Sequence, residues 1–323
     1  MKKVAVIGLG NIAGRHRHNL KLIFPKAELL VMSASGRIPK EHITDSDGIV
    51  TSIDELIKAQ VELVIVASPA PFHALHSIPL IEAGIPTLIE KPVTTSVEDA
   101  KAINHAIELY QTPVSIGYCL RYLPSAQKLK VFLDQGNLGT VYNTHIEVGQ
   151  YLPDWRPIIN YQDSVSAQIK LGGGALFELS HELDYAQWLL GPLDVKHSIL
   201  RASEELALDV EDIADIVAVS ELGTVVTIHL DLLQRKAHRK SSFVGSKGRI
   251  EWDLKLNELT LITATETSVL YSDPEWDKNQ MYLAMVDDFI QMIGNNKHTC
   301  IKSSEAIRTV LLIDEIRQQQ IVD

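Results

Sequence analysis

The chain has 323 residues, a formal net charge of -11 at pH 7 and two cysteines, Cys119 and Cys300. The length predicts two domains, and the negative charge argues against nucleic acid or an anionic membrane as a partner. Two cysteines cannot build a disulfide framework and favour a reducing, cytoplasmic compartment, and no apolar run is long enough to span a bilayer.

The first predicted elements are a β-branched strand over Val4 to Ile7, a glycine-rich turn, and a helix from Arg15 to Ile23. Strand, glycine turn and helix form the context in which the pattern G-x-G-x-x-G/A binds a dinucleotide. Gly8 would make the tight turn, Gly10 would let the backbone approach the pyrophosphate, and Ala13 would allow close packing of helix on strand. The alternative is a glycine turn without a ligand. The predicted cofactor contacts in this turn are Gly8, Gly10, Asn11, Ile12 and Ala13.

The end of the second strand, predicted over Leu29 to Met32, decides between NAD and NADP. An acidic residue at this place would bind the ribose 2′-hydroxyl of NAD, whereas an arginine suits the 2′-phosphate of NADP. The chain carries Ser33, Ser35 and Arg37 there, without an acid. Because arginine binds phosphate with a planar pair of donors, these residues favour NADP over NAD. The alternative is that Arg37 is a solvated loop residue, which would leave the preference open.

The next strand, predicted over Val61 to Ala67, ends in Ser68 and Pro69. The prolines of this stretch force an extended turn, which would pass over a cofactor at the carboxyl edge of a parallel sheet. Ser68, Pro69 and His73 are therefore predicted cofactor contacts. His73 is also expected to start the following helix and to take no part in the chemistry.

Lys91 follows a short buried strand, predicted over Pro86 to Ile89, and stands between Glu90 and Pro92. Pro92 ends the strand because it fixes its own φ angle and lacks a backbone donor. In an open parallel sheet, ligands bind at the carboxyl ends of the strands. Lys91 is therefore predicted to handle the proton of a reaction, and Glu90 and Lys91 are predicted to lie beside the cofactor.

The two halves of the chain differ in pattern. Strands and helices alternate over residues 1–118, which predicts a doubly wound α/β Rossmann domain. In residues 119–323, strands such as Val225 to Leu230 alternate apolar and polar side chains and are joined by short turns. This pattern predicts an α+β domain with a large, mostly antiparallel open sheet. Because such a sheet needs a cover on its second face, a homodimer or homotetramer through this sheet is expected.

A second group of polar residues follows three glycines, Gly172 to Gly174. Glu178, His181 and Asp184 are three residues apart and would share one stripe of a helix running to about Leu190. A carboxylate can fix the tautomer of an imidazole and raise its basicity, so His181 is a candidate general acid or base with Glu178 and Asp184 as partners. The alternative is a histidine packed in a buried helix and bonded to Asp184 for structure only. No third cluster of ligands favours a metal site.

Four motifs occur together along the chain: Gly8-x-Gly10-x-x-Ala13, Glu90-Lys91-Pro92, the pair Trp155-Arg156, and Gly172-Gly173-Gly174 with His181 and Asp184. In this order they resemble the Gfo/Idh/MocA family (glucose–fructose oxidoreductase, inositol dehydrogenase, rhizopine catabolism), and the resemblance covers essentially the whole chain. It implies an NAD(P)-dependent oxidoreductase acting on CH–OH groups, in which Lys91 assists hydride transfer and His181 lies by the reacting hydroxyl. It also implies that Trp155 and Arg156 lie near the nicotinamide.

The chain departs from the family pattern at one place. The family carries an aspartate four residues before the helix histidine, but Phe177 occupies that position and Glu178 stands three residues before His181. The catalytic part of Glu178 is therefore left open. The run from Glu178 to Tyr185 is similar to the branch of the family found in surface-polysaccharide and nonulosonic-acid pathways, which implies a nucleotide-linked or amino-sugar substrate.

The leading hypothesis is the reversible oxidation of a sugar carbinol by NAD(P). Lys91 would stabilise the developing alkoxide and His181 would act as general acid and base, with the reverse assignment left open. Candidate substrate contacts, with interdomain packing as the alternative, are Tyr118, Arg121, Tyr122, Tyr151 and Tyr161. Two rival hypotheses are the elimination of a glycosidic bond with recycled NAD, and a non-catalytic sensor that binds NADP and a sugar.

Overall fold

The computed structural model describes residues 1–155 and 160–319. Within it the chain divides into two compact units. The first comprises Met1–Tyr118 and Tyr282–Val310, and the second comprises Cys119–Met281 and the residues from Leu311 onward.

The first unit is built from two separate stretches of the chain, because residues 282–310 pack with the N-terminal residues. The sequence-based expectation gave all of residues 119–323 to one domain. The return rests on local contacts, because the Ile116 N–H group donates to the Ile301 carbonyl at 3.2 Å. The return segment also contacts α4 (Val97–Tyr110), where Ser303 Oγ lies 2.8 Å from Asn104 Oδ1.

The sheet of the first unit consists of short strands, β1 (Lys3–Ile7), β2 (Glu28–Met32), β3 (Gly48–Val50), β4 (Val64–Val66), β5 (Thr87–Ile89) and β6 (Val114–Ile116). The connecting helices are α1 (Asn11–Ile23), α2 (Ile53–Lys58), α3 (His73–Glu82) and α4. All strand pairs are parallel, and the order is β3-β2-β1-β4-β5-β6. This is the order of the dinucleotide-binding Rossmann fold, which confirms the predicted fold class of the first half.

Side chains on both faces of this sheet are apolar and buried. Val6, Ile65 and Leu88 on one face are fully excluded from solvent, as are their neighbours Ile7, Val66 and Ile89 on the other face. Continuous apolar runs of this kind are typical of parallel strands covered on both faces. Ser96, the residue before α4, caps the first turn of that helix with its hydroxyl, whereas Gly10, the residue before α1, has no side chain to cap it.

The second unit contains an eight-stranded sheet. Its strands are β7 (Val141–Gly149), β8 (Leu193–Arg201), β9 (Ile213–Ser220), β10 (Val225–Asp231), β11 (His238–Gly245), β12 (Gly248–Asp253), β13 (Glu258–Ile262) and β14 (Thr267–Ser272). The order is β14-β13-β12-β11-β7-β10-β9-β8, and every pair is antiparallel except β7 with β10. This confirms the prediction of a large, mostly antiparallel sheet in the second half.

The remaining helices are α5 (Pro124–Asp134), α6 (Ala175–Glu178), α7 (Ser180–Leu190), α8 (Gln280–Ile293) and α9 (Ser303–Gln319). Helix α7 packs on one face of the eight-stranded sheet, where the Tyr185 ring meets the Trp252 ring edge-on at 5.0 Å. Across the described parts of the chain, we find no helix long and apolar enough to cross a membrane.

The two faces of the eight-stranded sheet differ as the alternating sequence predicted. In β10, Val226, Ile228 and Leu230 are buried on the face that carries the helices. Val225, Thr227 and His229 point to the opposite face and are half-buried or exposed. We call this opposite side the outer face; it mixes apolar, hydroxyl and charged side chains.

Candidate active site

The glycine turn after β1 is shaped by its contact with the end of β4. Gly8 has a φ angle of +118°, and a Cβ atom on it would collide with the Ala67 carbonyl oxygen. Its N–H group donates to the Met32 carbonyl at 2.8 Å, which ties the turn to the end of β2. Only glycine has both the conformational freedom and the small volume that this position requires.

Gly10 lies at the open end of α1. A Cβ atom on Gly10 would have nothing within 4 Å, and no acidic residue occupies the first turn of the helix. Gly10 and Asn11 are exposed, Ile12 is half-buried, and Ala13 is buried against the sheet. The turn therefore presents uncapped N–H groups and the positive end of the helix dipole, which suit a phosphate group.

The loop after β2 closes on itself through Ser33. The buried hydroxyl of Ser33 donates to the Arg37 carbonyl at 2.8 Å. Gly36 makes the turn with a φ angle of +70°, and a Cβ on it would lie 2.5 Å from the Thr51 carbonyl oxygen. Ser35 and the Arg37 side chain are exposed. Of the three residues proposed for cofactor discrimination, Ser33 thus shapes the loop, whereas Ser35 and Arg37 face solvent.

The loop after β4 is anchored by two histidines of α3. His76 Nδ1 lies 2.9 Å from Ser68 Oγ. His73 starts the helix, as predicted, and its buried ring places Nε2 2.8 Å from the Ser68 carbonyl and Nδ1 3.0 Å from the Pro92 carbonyl. Burial lowers the pKa of His73, and the carbonyl contacts and the charge of Glu90 oppose this shift only in part. The ring of His73 therefore lies between two loops of the chain, the one after β4 and the one after β5.

The segment after β5 is held by Glu90, which is almost fully buried. Its Oε1 accepts a hydrogen bond from His16 Nε2 at 2.6 Å, and its Oε2 accepts the backbone N–H of Lys91 at 3.2 Å. Lys91 is partly exposed at the carboxyl end of the strand, and the peptide bond between Lys91 and Pro92 is cis. His16 was not among the site residues predicted from the sequence; the available signal was a histidine on the apolar side of the helix behind the glycine turn.

In the second unit, packing accounts for the glycines before α6. A Cβ on Gly173 would lie 2.7 Å from the Ser166 carbonyl, and one on Gly174, at a φ angle of +102°, would lie 2.5 Å from Glu211 Oε1. The same Glu211 oxygen accepts the N–H group of Leu176 at 3.2 Å, and Arg317 pairs with this carboxylate at 3.2 Å. Glu211 therefore caps the start of α6, and the glycines give it room.

The expected single helix from the glycines to Leu190 is wrong, because the chain breaks at Leu179. Helix α6 ends at Glu178 and α7 starts at Ser180, with φ -99° and ψ 24° at Leu179 between them. Glu178 and His181 thus belong to different helices and do not continue one helical stripe. Between Gly172 and Gln187 they are the two residues that are not buried.

Asp184 and Arg121 form a buried ion pair with each other. Arg121 Nε donates to one carboxylate oxygen of Asp184 at 2.9 Å and Nη2 donates to the other at 2.7 Å. The Arg121 guanidinium also lies 5.5 Å from the centre of the Trp188 ring. The structure thus brings together an expected supporting carboxylate and an expected substrate contact. Two residues earlier in the same helix, the fully buried Glu182 is bound at two points by Arg239.

The remaining expected substrate and cofactor contacts are spread over several segments. Tyr118 is fully buried, whereas Tyr122 and Trp155 are half-buried. Tyr151 donates to Glu205 at 3.1 Å beneath the Arg235 guanidinium, and Tyr161 donates to the Leu206 carbonyl at 3.1 Å. Arg156 lies outside the described residues.

Comparison with known proteins places this architecture in a family. Residues 2–118 match the "Oxidoreductase family, NAD-binding Rossmann fold" of the Gfo/Idh/MocA proteins, and residues 126–251 match the "GFO/IDH/MocA C-terminal domain". Inositol 2-dehydrogenase 3 of Saccharopolyspora erythraea is 28% identical over 204 residues, which cover 62% of this chain and 56% of that protein. Glucose-6-phosphate 3-dehydrogenase of Bacillus subtilis is also 28% identical, over 62% of this chain and 57% of that protein. The matches thus span little more than half the length of these two relatives.

Solved structures of similar fold cover almost the whole chain. Levoglucosan dehydrogenase in complex with NADH has a TM-score of 0.85 at 19% identity, over 98% of this chain and 96% of that one. UDP-N-acetylglucosamine 3-dehydrogenase from Acidithiobacillus ferrooxidans has a TM-score of 0.78 at 20% identity, with the same coverage. At these identities the likeness concerns the fold. The two domain matches and the fold agree with the four sequence motifs, and this chain belongs to the Gfo/Idh/MocA family of oxidoreductases, with an NAD-binding Rossmann domain.

Proposed function

We propose that this protein is an NAD(P)-dependent dehydrogenase that moves a hydride between a sugar carbinol and nicotinamide. The observation that carries the proposal is the position of Lys91 at the carboxyl end of β5, two strands from the glycine turn of β1. Ligands of open parallel sheets bind at this edge, beside the point where the strand order reverses. A partly exposed lysine at this edge supports a role in handling the proton of a bound substrate.

The glycine turn fits a dinucleotide. Gly10 leaves open space at the N-terminus of α1. The first turn of this helix contains no acidic side chain, which would repel a pyrophosphate. The family relationship to NAD-binding proteins supports the same assignment. When bound, nicotinamide supplies the hydride acceptor, and the residues of the chain handle the proton.

Lys91 and His181 are our candidates for the residues that handle this proton. As His181 would take the hydroxyl proton, negative charge would develop on the carbinol oxygen and favour the loss of hydride from its carbon. Lys91 would donate a hydrogen bond to this oxygen. The reverse assignment is equally open on chemical grounds. The partial exposure of His181 supports it as the working residue of its segment, with the partly exposed Glu178 as a second candidate, whereas Asp184 is bonded to Arg121. Positioned acid–base groups typically contribute about 10²–10⁴-fold to a rate.

We further propose a preference for NADP. The support is the exposed Arg37 with the exposed hydroxyl of Ser35 after β2, in a loop whose residues 33–37 include no acid. An acid at this place would select the 2′-hydroxyl of NAD. Levoglucosan dehydrogenase was solved with NADH, so NAD is the alternative that the assay below must compare.

The substrate is proposed to be a nucleotide-linked or amino sugar. The sequence around His181 implies this branch, and the fold likeness to UDP-N-acetylglucosamine 3-dehydrogenase supports it. Tyr122, which is half-buried, is the preferred substrate contact among the candidates, and Trp155 stays a predicted contact of the nicotinamide. Four other candidates are hydrogen-bonded or buried and would support the substrate site indirectly, by holding the residues around it: Tyr118, Arg121, Tyr151 and Tyr161.

A substrate panel tests the proposal. The purified protein is mixed with NAD or NADP and, in separate reactions, with UDP-N-acetylglucosamine, myo-inositol, glucose 6-phosphate or levoglucosan, while the absorbance of reduced nicotinamide is followed. We expect turnover with the nucleotide sugar, at a higher kcat/KM with NADP. Release of an aglycone from a glycoside without net reduced nicotinamide would favour elimination. Binding of NADP and sugar, seen as a raised melting temperature, without either reaction would favour a sensor and overturn the proposal.

A further inference from the structure

We propose that two buried histidines, His16 and His73, are positioning residues that hold Lys91 in place for its reaction. His16 lies on α1, behind the glycine turn, and His73 starts α3, after the loop of β4. Both contact the segment Glu90 to Val93, which follows β5. The inference rests on the proposed function of Lys91.

His16 is not explained by core packing. Its ring is completely buried, and its Nε2–H group donates to Glu90 Oε1 at 2.6 Å. Within the described residues its Nδ1 atom has no hydrogen-bond partner. Burying a polar ring that is only half satisfied costs free energy that a leucine of similar size would not. The histidine therefore contributes a hydrogen bond to Glu90 at this position, beside the edge-on contact of its ring with the Tyr282 ring at 6.1 Å.

Glu90 passes this contact on to Lys91. One carboxylate oxygen is bound by His16, and the other accepts the Lys91 N–H group at 3.2 Å. The backbone of Glu90 is fixed as well, because its N–H group donates to the Val66 carbonyl at 2.9 Å. Gly117 closes the other side, since even a Cβ atom there would lie 3.1 Å from Glu90 Oε2. These contacts restrict the position of the Glu90 carboxylate, and the Lys91 backbone is held by its hydrogen bond to that carboxylate.

His73 holds the same segment from its far end. Nδ1 lies 3.0 Å from the Pro92 carbonyl and Nε2 lies 2.8 Å from the Ser68 carbonyl. A carbonyl only accepts hydrogen bonds, and a neutral imidazole donates one, so one N–H group donates and the ring sits between the two loops. Its shape and burial thus couple the loop after β4 to the segment that carries Lys91.

Together the two rings tie Lys91 to both loops that border the proposed cofactor edge. A displacement of about 1 Å in a reacting group can cost on the order of 100-fold in rate. His16 lies on α1, the helix whose N-terminus would meet the pyrophosphate. The position of Lys91 is therefore linked, through Glu90 and His16, to the helix that would bind the cofactor. A positioning role of this kind affects turnover and leaves nucleotide affinity nearly unchanged.

The test begins with hydrogen exchange, which needs no sugar. The variants are His16→Leu, His73→Leu, and His16→Gln, whose amide N–H can take the place of Nε2–H. Leu20→Ala is the matched control, because Leu20 is buried on the same helix one turn further on. We expect the Lys91 amide to exchange about tenfold faster in the two leucine variants, and to stay within about twofold of wild type in the other two. Equal exchange in all four variants overturns the inference.

Kinetics separates positioning from general stability. With NADP and the sugar that wild type turns over best, His16→Leu and His73→Leu should lower kcat by at least about tenfold, while the Kd of NADPH in His16→Leu stays within about twofold. His16→Gln should recover most of kcat, and Leu20→Ala should lower the melting temperature but not kcat. A loss of kcat in Leu20→Ala equal to that in His16→Leu, or no recovery in His16→Gln, contradicts the inference. Lys91→Ala is measured in parallel: if it turns over normally the proposed function fails, and if it alone is inactive only the inference fails.

Discussion

At the scale of single residues, the buried charged side chains of α7 are held in pairs. Asp184 is bound at two points by Arg121, and Glu182 is bound at two points by Arg239. Both carboxylates are nearly or fully excluded from solvent. Buried charges need such partners because a lone charge in the interior has lost its hydration. The bond to Arg121 gives Asp184 a structural part in the second unit, beside its expected support of His181.

This pairing predicts a stability effect for Asp184. Removing one partner of a buried ion pair costs about 3–5 kcal/mol, whereas replacing both by apolar residues is often near neutral. Asp184→Leu should therefore lower the free energy of unfolding in urea by an amount in this range, and the double variant Asp184→Leu/Arg121→Met should recover most of it. If Asp184→Leu kept full stability and lost only turnover, its main partner would be His181 instead.

At the scale of elements, the glycines that precede two helices have different roles. Gly174 before α6 has a left-handed φ angle and presses against Glu211, which caps the helix. Gly10 before α1 has an ordinary φ angle of -73° and open space where its side chain would be. The first glycine is thus needed for folding, and the second leaves room for a ligand.

The pair predicts opposite outcomes for the same substitution. Gly174→Ala should destabilise the second unit by about 1–3 kcal/mol, because it forces strain on the backbone and displaces Glu211. Gly10→Ala should leave the melting temperature within about 2 °C of wild type but weaken NADPH binding several-fold. Thermal unfolding and a fluorescence titration with NADPH measure both. Unchanged nucleotide affinity in Gly10→Ala would speak against a pyrophosphate at this turn.

Some features of these elements can be predicted from local sequence patterns, and others cannot. The strands of the first half and the turn at Gly8 follow from local patterns, namely β-branched runs and a glycine where a φ angle of +118° is needed. The start of α6 does not, because it is capped by Glu211, which lies well downstream of the glycines. The contact of His16 with Glu90 spans 74 residues. Such contacts depend on the sheet order, which has to be known before the partners can be found.

At the scale of the whole molecule, the outer face of the eight-stranded sheet stands out. Val217 and Val225 on neighbouring strands are 37% and 40% exposed, and His229 lies between Asp215 and Asp231, 2.6 Å and 3.1 Å from their carboxylates. We propose that a second copy of the chain covers this face, as its mixed apolar and charged surface would suit a self-complementary contact.

The assembly proposal predicts a change of mass. Val217→Glu/Val225→Glu should convert a dimer or tetramer to smaller species in light scattering after gel filtration, because it places two charges in the proposed contact. Leu222→Glu, in the turn between β9 and β10 where Leu222 is 85% exposed, is the control and should leave the mass unchanged. A wild-type protein that runs as a monomer would contradict the proposal.

The charge of His229 predicts how stability depends on pH. Its hydrogen bond to Asp231 raises the pKa of His229 from 6.5 to about 9, with help from Asp215 and against partial burial. A raised pKa means that this contribution to stability is fully present below pH 6.5 and is lost as the pH rises through about 9. The difference in unfolding free energy between wild type and His229→Gln should therefore be largest near pH 6 and shrink by about pH 10. A difference that grows with pH would contradict the charged bridge.

The central claim is that Lys91 handles the proton of a hydride transfer at the carboxyl edge of the Rossmann sheet. The most direct measurement compares wild type with Lys91→Ala, using NADP and the nucleotide sugar that wild type turns over, and records both kcat and the Kd of NADPH. We expect kcat to fall by at least about 100-fold while the Kd of NADPH stays within about twofold. Turnover that survives in Lys91→Ala at close to the wild-type rate would contradict the account.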